Sequence, residues 1–175
     1  MPRNKPDKQA LLSDLADHVL KNGLNDASLR PMAAAAGTSD RMLIYHFGNK
    51  DALIAEVLNH LASQLATGLD LALPEERFTS EAMLVQRIVH LMRSPEFAPY
   101  IRVWLEIVAV AAKKASAHRD AGHAIILTFL EWLAKRHPDG HDGAPRALTL
   151  IEGTLIMDAV GHTQITDTAC QTIKP

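Results

Sequence analysis

The chain has 175 residues, 47% of them apolar, which is enough to bury a hydrophobic core. Only 5% are aromatic and β-branched runs are scarce, a balance that favours helices over sheet, and the single cysteine, Cys170, excludes an internal disulfide and suits a reducing cytoplasm. Eighteen basic against twenty acidic side chains, with seven of each sign among residues 1–60, mean that bulk charge does not point to a nucleic-acid partner. Met1 to Lys8 is polar and basic with no apolar stretch after it, and the apolar run from Ile101 to Ala112 is short and interrupted by Arg102 and Glu106. Neither a leader nor a membrane span is expected, and the expected location is the cytoplasm.

Apolar periodicity predicts about nine helices and an all-α fold. Leu11, Leu12, Leu15, Ala16, Val19 and Leu20 form one stripe of a first helix over about residues 7–22, with Gly23 placed as a left-handed C-cap. Ser28 is a suitable N-cap for a short second helix through Ala36, ended by Gly37. Thr38 and Ser39 start a third helix that closes near Phe47 and Gly48, and Asn49 caps a long fourth helix that runs up to Pro74. Residues 74–80 read as a loop. A fifth helix covers about 81–93 and is broken at Ser94-Pro95; a sixth has Pro99 near its start. The seventh spans about 118–137, the eighth about 144–161 and a short ninth about 165–173.

Two short helices joined by a tight turn at Gly37 have the form of a DNA-reading helix-turn-helix. Leu29, Met32, Ala33 and Ala36 supply the face of the first that packs on the second. Leu43 and Phe47 anchor the second from behind, leaving Ser39, Asp40, Arg41, Met42 and Tyr45 to face a major groove. His46 at the end of that helix and Lys50 at the start of the next are placed to hold phosphate.

The run from Leu29 to Leu53 resembles the DNA-binding signature of the TetR family of repressors. The matching pieces are Ala36-Gly37, Ser39, Leu43, His46-Phe47, Lys50 and the acidic Asp51 before Leu53, with the first helix and Gly23 in the corresponding places. The resemblance covers roughly the first third of the chain. It implies that Ser28 caps and contacts a phosphate, that Arg30 reaches a base, that Asp40, Arg41, Met42 and Tyr45 lie where bases are read, and that His46 and Lys50 hold phosphates. Two positions depart from the pattern. Ile44 stands where the family usually has a phosphate-binding tyrosine, with Tyr45 one residue later, and Asp40 puts a negative charge on the reading face, where it can accept from a cytosine amino group.

These readings divide the chain into a DNA-binding domain, residues 1–48, and a helical regulatory and dimerisation domain, residues 49–175. The expected function is a transcriptional regulator that binds palindromic operator DNA as a homodimer and releases it when a small effector binds. The expected dimer interface is a four-helix bundle of the seventh and eighth helices with their copies, through Ile126, Phe129, Leu130, Leu133, Leu148, Ile151, Leu155 and Ala159, with Gly153 and Gly161 allowing close approach. The expected effector is uncharged and largely apolar, in a site among helices four to seven lined by Leu65, Met83, Met92, Tyr100, Trp104, Ile107 and Phe129. Arg102 and Glu106, one helical turn apart, are expected to form a solvated pair. No phosphate loop, zinc-protease motif or hydrolase elbow appears, and the nine histidines fall at no ligand spacing, so neither an enzyme, a cofactor nor a metal is expected.

Overall fold

The structure, a computed structural model, describes residues 7–73, 77–113 and 117–173. Part of the loop expected at 74–80 lies outside these. Among the described residues there are nine helices and no strand: α1 Lys8–Asn22, α2 Leu29–Ala35, α3 Asp40–Phe47, α4 Lys50–Ala72, α5 Glu81–Met92, α6 Ala98–Ala111, α7 Ala117–Arg136, α8 Ala144–Ala159 and α9 Thr163–Gln171. None is long and apolar enough to cross a membrane.

The helix ends follow from short polar side chains and glycines. Ser39 Oγ accepts the Met42 N–H and Ser80 Oγ that of Met83, both at 3.3 Å, while Asn49 Oδ1 accepts the Ala52 N–H at 2.8 Å. Gly37, at φ +59°, closes α2: its N–H donates to Ala34 O and that of Thr38 to Ala33 O, the paired bonds of a Schellman turn. Gly161, at φ +86°, ends α8 in the same way, with bonds to Asp158 and Met157. This glycine serves a turn. Gly23 departs from expectation. At φ +80°, ψ +177° it is not left-handed helical but in an extended region open essentially to glycine alone.

The chain forms two compact units, one made of the residues up to Leu65 with Arg102–His123, the other of Ala66–Ile101 with Ala124 onward. Helices α4, α6 and α7 each contribute to both. The domain boundary expected at residue 48 does not coincide with this packing.

The core of the first unit comes from one face of each helix: Leu11, Leu15, Ala16 and Val19 of α1, Met32 and Ala33 of α2, Leu43 and Phe47 of α3, and Leu53, Ile54, Val57, Leu58 and Leu61 of α4, all buried. Lys8 Nζ lies 2.7 Å from Glu56 and 5.0 Å from the Phe47 ring centroid, joining α1 to α4 and α3 at the surface.

In the second unit, Leu84, Val85, Ile88 and Val89 of α5 and Ala144, Ala147, Leu148, Ile151 and Leu155 of α8 are buried, as are Trp132 and Leu133 of α7. Three polar ties hold it. The buried Glu81 takes both the Nε (2.9 Å) and Nη2 donors of Arg146. Beside it His137 is fully enclosed; its Nδ1 accepts the Asp139 N–H at 3.0 Å, which leaves the ring proton on Nε2, 3.6 Å from Glu81 Oε1. Asp70 Oδ1 accepts from Trp132 Nε1 and from buried Arg136, each at 2.7 Å, and the Arg136 guanidinium sits 4.0 Å from the Trp132 ring centroid. Finally, Arg93 of α5 binds Asp158 of α8 through Nε (2.7 Å) and Nη2 (3.0 Å) and Asp167 of α9 at 2.6 Å, while Thr166 Oγ1 donates to Asp158 at 2.7 Å.

Two outcomes follow. A Cβ on Gly143 would overlap the His137 imidazole, which has nowhere to move. Gly143→Ala is therefore expected to cost about 1–3 kcal/mol or more by overpacking, read as a lowered urea midpoint. Burial raises the Asp158 carboxyl, but the hydrogen bonds from Arg93 and Thr166 and the Arg93 charge outweigh it and hold it below the usual carboxylate range. A carboxyl lowered on folding contributes stability at all pH above its unfolded value, about 4, and loses it as pH falls through the folded one. Asp158→Asn should thus cost on the order of 1 kcal/mol at pH 7, and its urea midpoint should converge on that of the parent in acid below the carboxylate range.

Candidate nucleic-acid interface

The geometry of α2, the Gly37 turn and α3 separates two faces of α3 cleanly. Leu43 is 0% and Phe47 5% exposed, packed inward with Met32 and Ala33, so residues about half a turn away point out. Tyr45 is 66% exposed, an unusual state for a large aromatic ring in a folded head, and Asp40 and Arg41 beside it are exposed as well. Met42 is half-buried at the edge of this face. Ser39 lies exposed at its N-terminal end, with its hydroxyl engaged as the α3 cap.

Flanking residues bracket the face. Arg30 of α2 and Lys50 at the first turn of α4 are exposed. Ser28 occupies the N-cap of α2 and is exposed, but its side chain makes no capping hydrogen bond. His46 is half-buried, with its ring edge-on to Tyr45 at 5.2 Å and its Nε2 shut away from solvent with no hydrogen-bond partner. That half of the imidazole does not face outward. Ile44, at the position where the family pattern has tyrosine, is half-buried.

The other expected sites are less coherent. Of the effector-site residues, Leu65, Trp104 and Ile107 belong to the first unit and Met83, Met92, Tyr100 and Phe129 to the second. Ile107 and Met92 are buried in their units, whereas Met83 is 54% exposed, its sulfur accepting from the Thr79 hydroxyl at 3.2 Å. Met83 sits one residue off the buried stripe of α5 (Leu84, Val85, Ile88), so it faces solvent and not an interior. Of the dimer residues, Leu133, Leu148, Ile151 and Leu155 are buried in the chain's own core and are not available to a partner; Ile126, Phe129 and Leu130 are half-buried and Ala159 is exposed. Sequence periodicity missed a second apolar stripe on α8: Leu150, Ile156, Met157 and Val160 are between 36% and 65% exposed, with Gly153 open between them. Arg102 and Glu106 also differ from expectation: Arg102 reaches the last turn of α1 and Glu106 the Leu24 N–H just beyond it.

Residues 16–57 match the sequence model of the bacterial regulatory proteins of the tetR family. No curated protein matches the sequence significantly. Among solved structures, a transcriptional regulator from Rhodococcus sp. Rha1 is 20% identical, with 94% of this chain and 92% of that one covered and a TM-score of 0.69. The multidrug binding protein EbrR, complexed with proflavin, is 18% identical over 95% and 96% of the two chains, TM-score 0.70. A Saccharomonospora viridis protein in complex with choline is 19% identical over 94% and 95%, TM-score 0.64. At these identities the structural likeness speaks for the fold, and the matched segment for the family. Residues 16–57 are thus a segment of the tetR-family type, set in a chain that shares the fold of solved transcriptional regulators.

Proposed function

We propose that the protein is a repressor that binds a palindromic operator as a homodimer and is released by a small-molecule effector. The outward Tyr45, flanked by Asp40 and Arg41 on a helix anchored by Leu43 and Phe47, is the observation that carries the DNA-reading part. In this reading Asp40, Arg41, Met42 and Tyr45 meet base edges, Arg30 reaches a neighbouring base, and Ser28, Ser39, His46 and Lys50 hold the backbone. Residues 1–48, joined by Lys50, do the DNA work, and the rest of 49–175 the regulation.

One helix-turn-helix reads one half-site, and a palindrome requires a two-fold axis relating two of them. The second apolar stripe of α8, with exposed Leu127 of α7, is the surface that supports a dimer, in place of the buried residues first expected. The effector is proposed to be small and largely apolar and to act in the helical part beyond residue 48. It must bind the arrangement that cannot hold DNA better than the one that can, or it shifts nothing. Relatives of the same fold bind proflavin and choline, so both belong in any screen.

Three outcomes are expected. With a duplex selected from a random library, Arg41→Ala and Tyr45→Ala each cost about 1–3 kcal/mol and relax base preference, whereas Lys50→Ala weakens specific and non-specific duplexes alike and flattens the salt dependence, all read by fluorescence anisotropy. Wild-type behaviour of both Arg41→Ala and Tyr45→Ala would remove the reading face. Met157→Glu should shift the sedimentation profile from dimer to monomer at micromolar concentration without unfolding the chain, because Met157 lies outside its core. In a Trp132→Phe background, a true effector changes Trp104 emission and releases the duplex in the same concentration range; a compound that does only the first is not one.

A further inference from the structure

Arg102 and Glu106 lie one turn apart on α6 and both grip the backbone where α1 ends. Arg102 Nη2 donates to the Leu20 carbonyl, with Lys21 O at 3.4 Å. Glu106 Oε2 accepts the Leu24 N–H at 2.5 Å. The last carbonyls of a helix have no partner within it and carry its partial negative charge, so a guanidinium there satisfies both deficits. The carboxylate completes the grip on the residue that leaves the helix. Every one of these contacts is to main chain, so the side chains of α1 do not enter.

Gly23 makes the grip possible in two ways. Its φ of +80° with ψ of +177° turns the Leu24 N–H toward α6, and a Cβ there would come within 2.6 Å of Glu106 Oε1. From Leu24 the hold passes into the DNA-binding segment through a hydrogen-bonded turn: Leu24 O accepts the Ala27 N–H at 3.0 Å and Asp26 O that of Ser28 at 2.8 Å. Ser28 is the N-cap of α2. Four residues therefore separate the Glu106 carboxylate from the helix that supports the reading helix.

We infer that Arg102 and Glu106 are positioning residues for DNA binding, a clamp from α6 that fixes the α1 exit turn and through it the start of α2. Neither side chain touches DNA. Because a displaced clamp loses charge-assisted hydrogen bonds, which are short-ranged and directional, the turn has one held position and not a continuum.

The inference rests on the DNA-binding reading, and the test separates the two. The full-length protein is titrated against the tightest duplex it selects from a random library, with Lys50→Ala as the control, measuring Kd, salt slope and active fraction. Arg102→Ala and Glu106→Ala are each expected to raise Kd roughly tenfold, as loss of one charge-assisted bond implies. Their salt slopes should stay at the parent value, since no phosphate contact is lost, and their active fractions should stay full. Glu106→Gln, whose side-chain carbonyl still accepts from Leu24, should bind within about threefold of the parent. Parental Kd for both alanine variants, while Lys50→Ala binds weakly, overturns the clamp and leaves the reading face standing. A reduced active fraction with parental Kd also overturns it, as that marks a merely structural role. Should Glu106→Ala fail to fold, exposed Arg102 decides alone. If no duplex is selected, or Lys50→Ala also binds as the parent does, the DNA reading fails and the clamp with it.

Discussion

Leu43 and Phe47 are driven out of water, and that burial decides which way α3 faces. Each stabilises its unit by about 2–3 kcal/mol through removal of apolar surface, more than any single polar contact in the first unit provides. Because side chains on a helix advance by 100° per residue, fixing positions 43 and 47 inward forces Arg41 and Tyr45 outward. The exposed aromatic ring is thus a by-product of core packing. The Gly37 turn and the Ser39 cap set where α3 begins; the buried pair sets its rotation.

Polar ties elsewhere fix what hydrophobic burial leaves free. Apolar stripes slide and rotate at small cost, whereas Arg146 on Glu81 and Arg93 on Asp158 and Asp167 accept only one register between α5, α8 and α9. Glu81 is 4% exposed, a burial that would be prohibitive for a lone carboxylate and is offset by two guanidinium donors with the His137 ring alongside. The first unit uses the same device more sparingly, in the α6 grip on the α1 exit.

Much of this was legible in the residues because it depends on local order. Helix existence and ends follow from periodicity, from Ser39 and Asn49 at helix starts and from glycines past the ends, and the helix-turn-helix lies within twenty-five consecutive residues. The dimer and effector residues were harder for a physical reason. Helix α8 is apolar on two sides, and periodicity states that stripes exist without saying which one the chain covers itself; Ile151 and Leu155 went in, Ile156 and Met157 stayed out. Met83 misled in the same manner, one position away from the buried Leu84. Arg102 and Glu106 looked like neighbours that satisfy each other, since an i, i+4 pair is the nearest explanation available within one helix. Their true partners are carbonyl and amide groups about eighty residues earlier, which no side-chain pattern records.

Cys170 is the only thiol in the chain and lies buried on the inner side of α9, its carbonyl accepting from Gln86 at 2.9 Å. A thiolate-seeking reagent reaches such a sulfur only during the moments when the helix has lifted away. The labelling rate of the native protein, compared with that of the urea-unfolded chain, therefore gives the fraction of time α9 spends detached. A nine-residue helix at the end of the chain thus carries its own clock, read by mass spectrometry without any engineered probe.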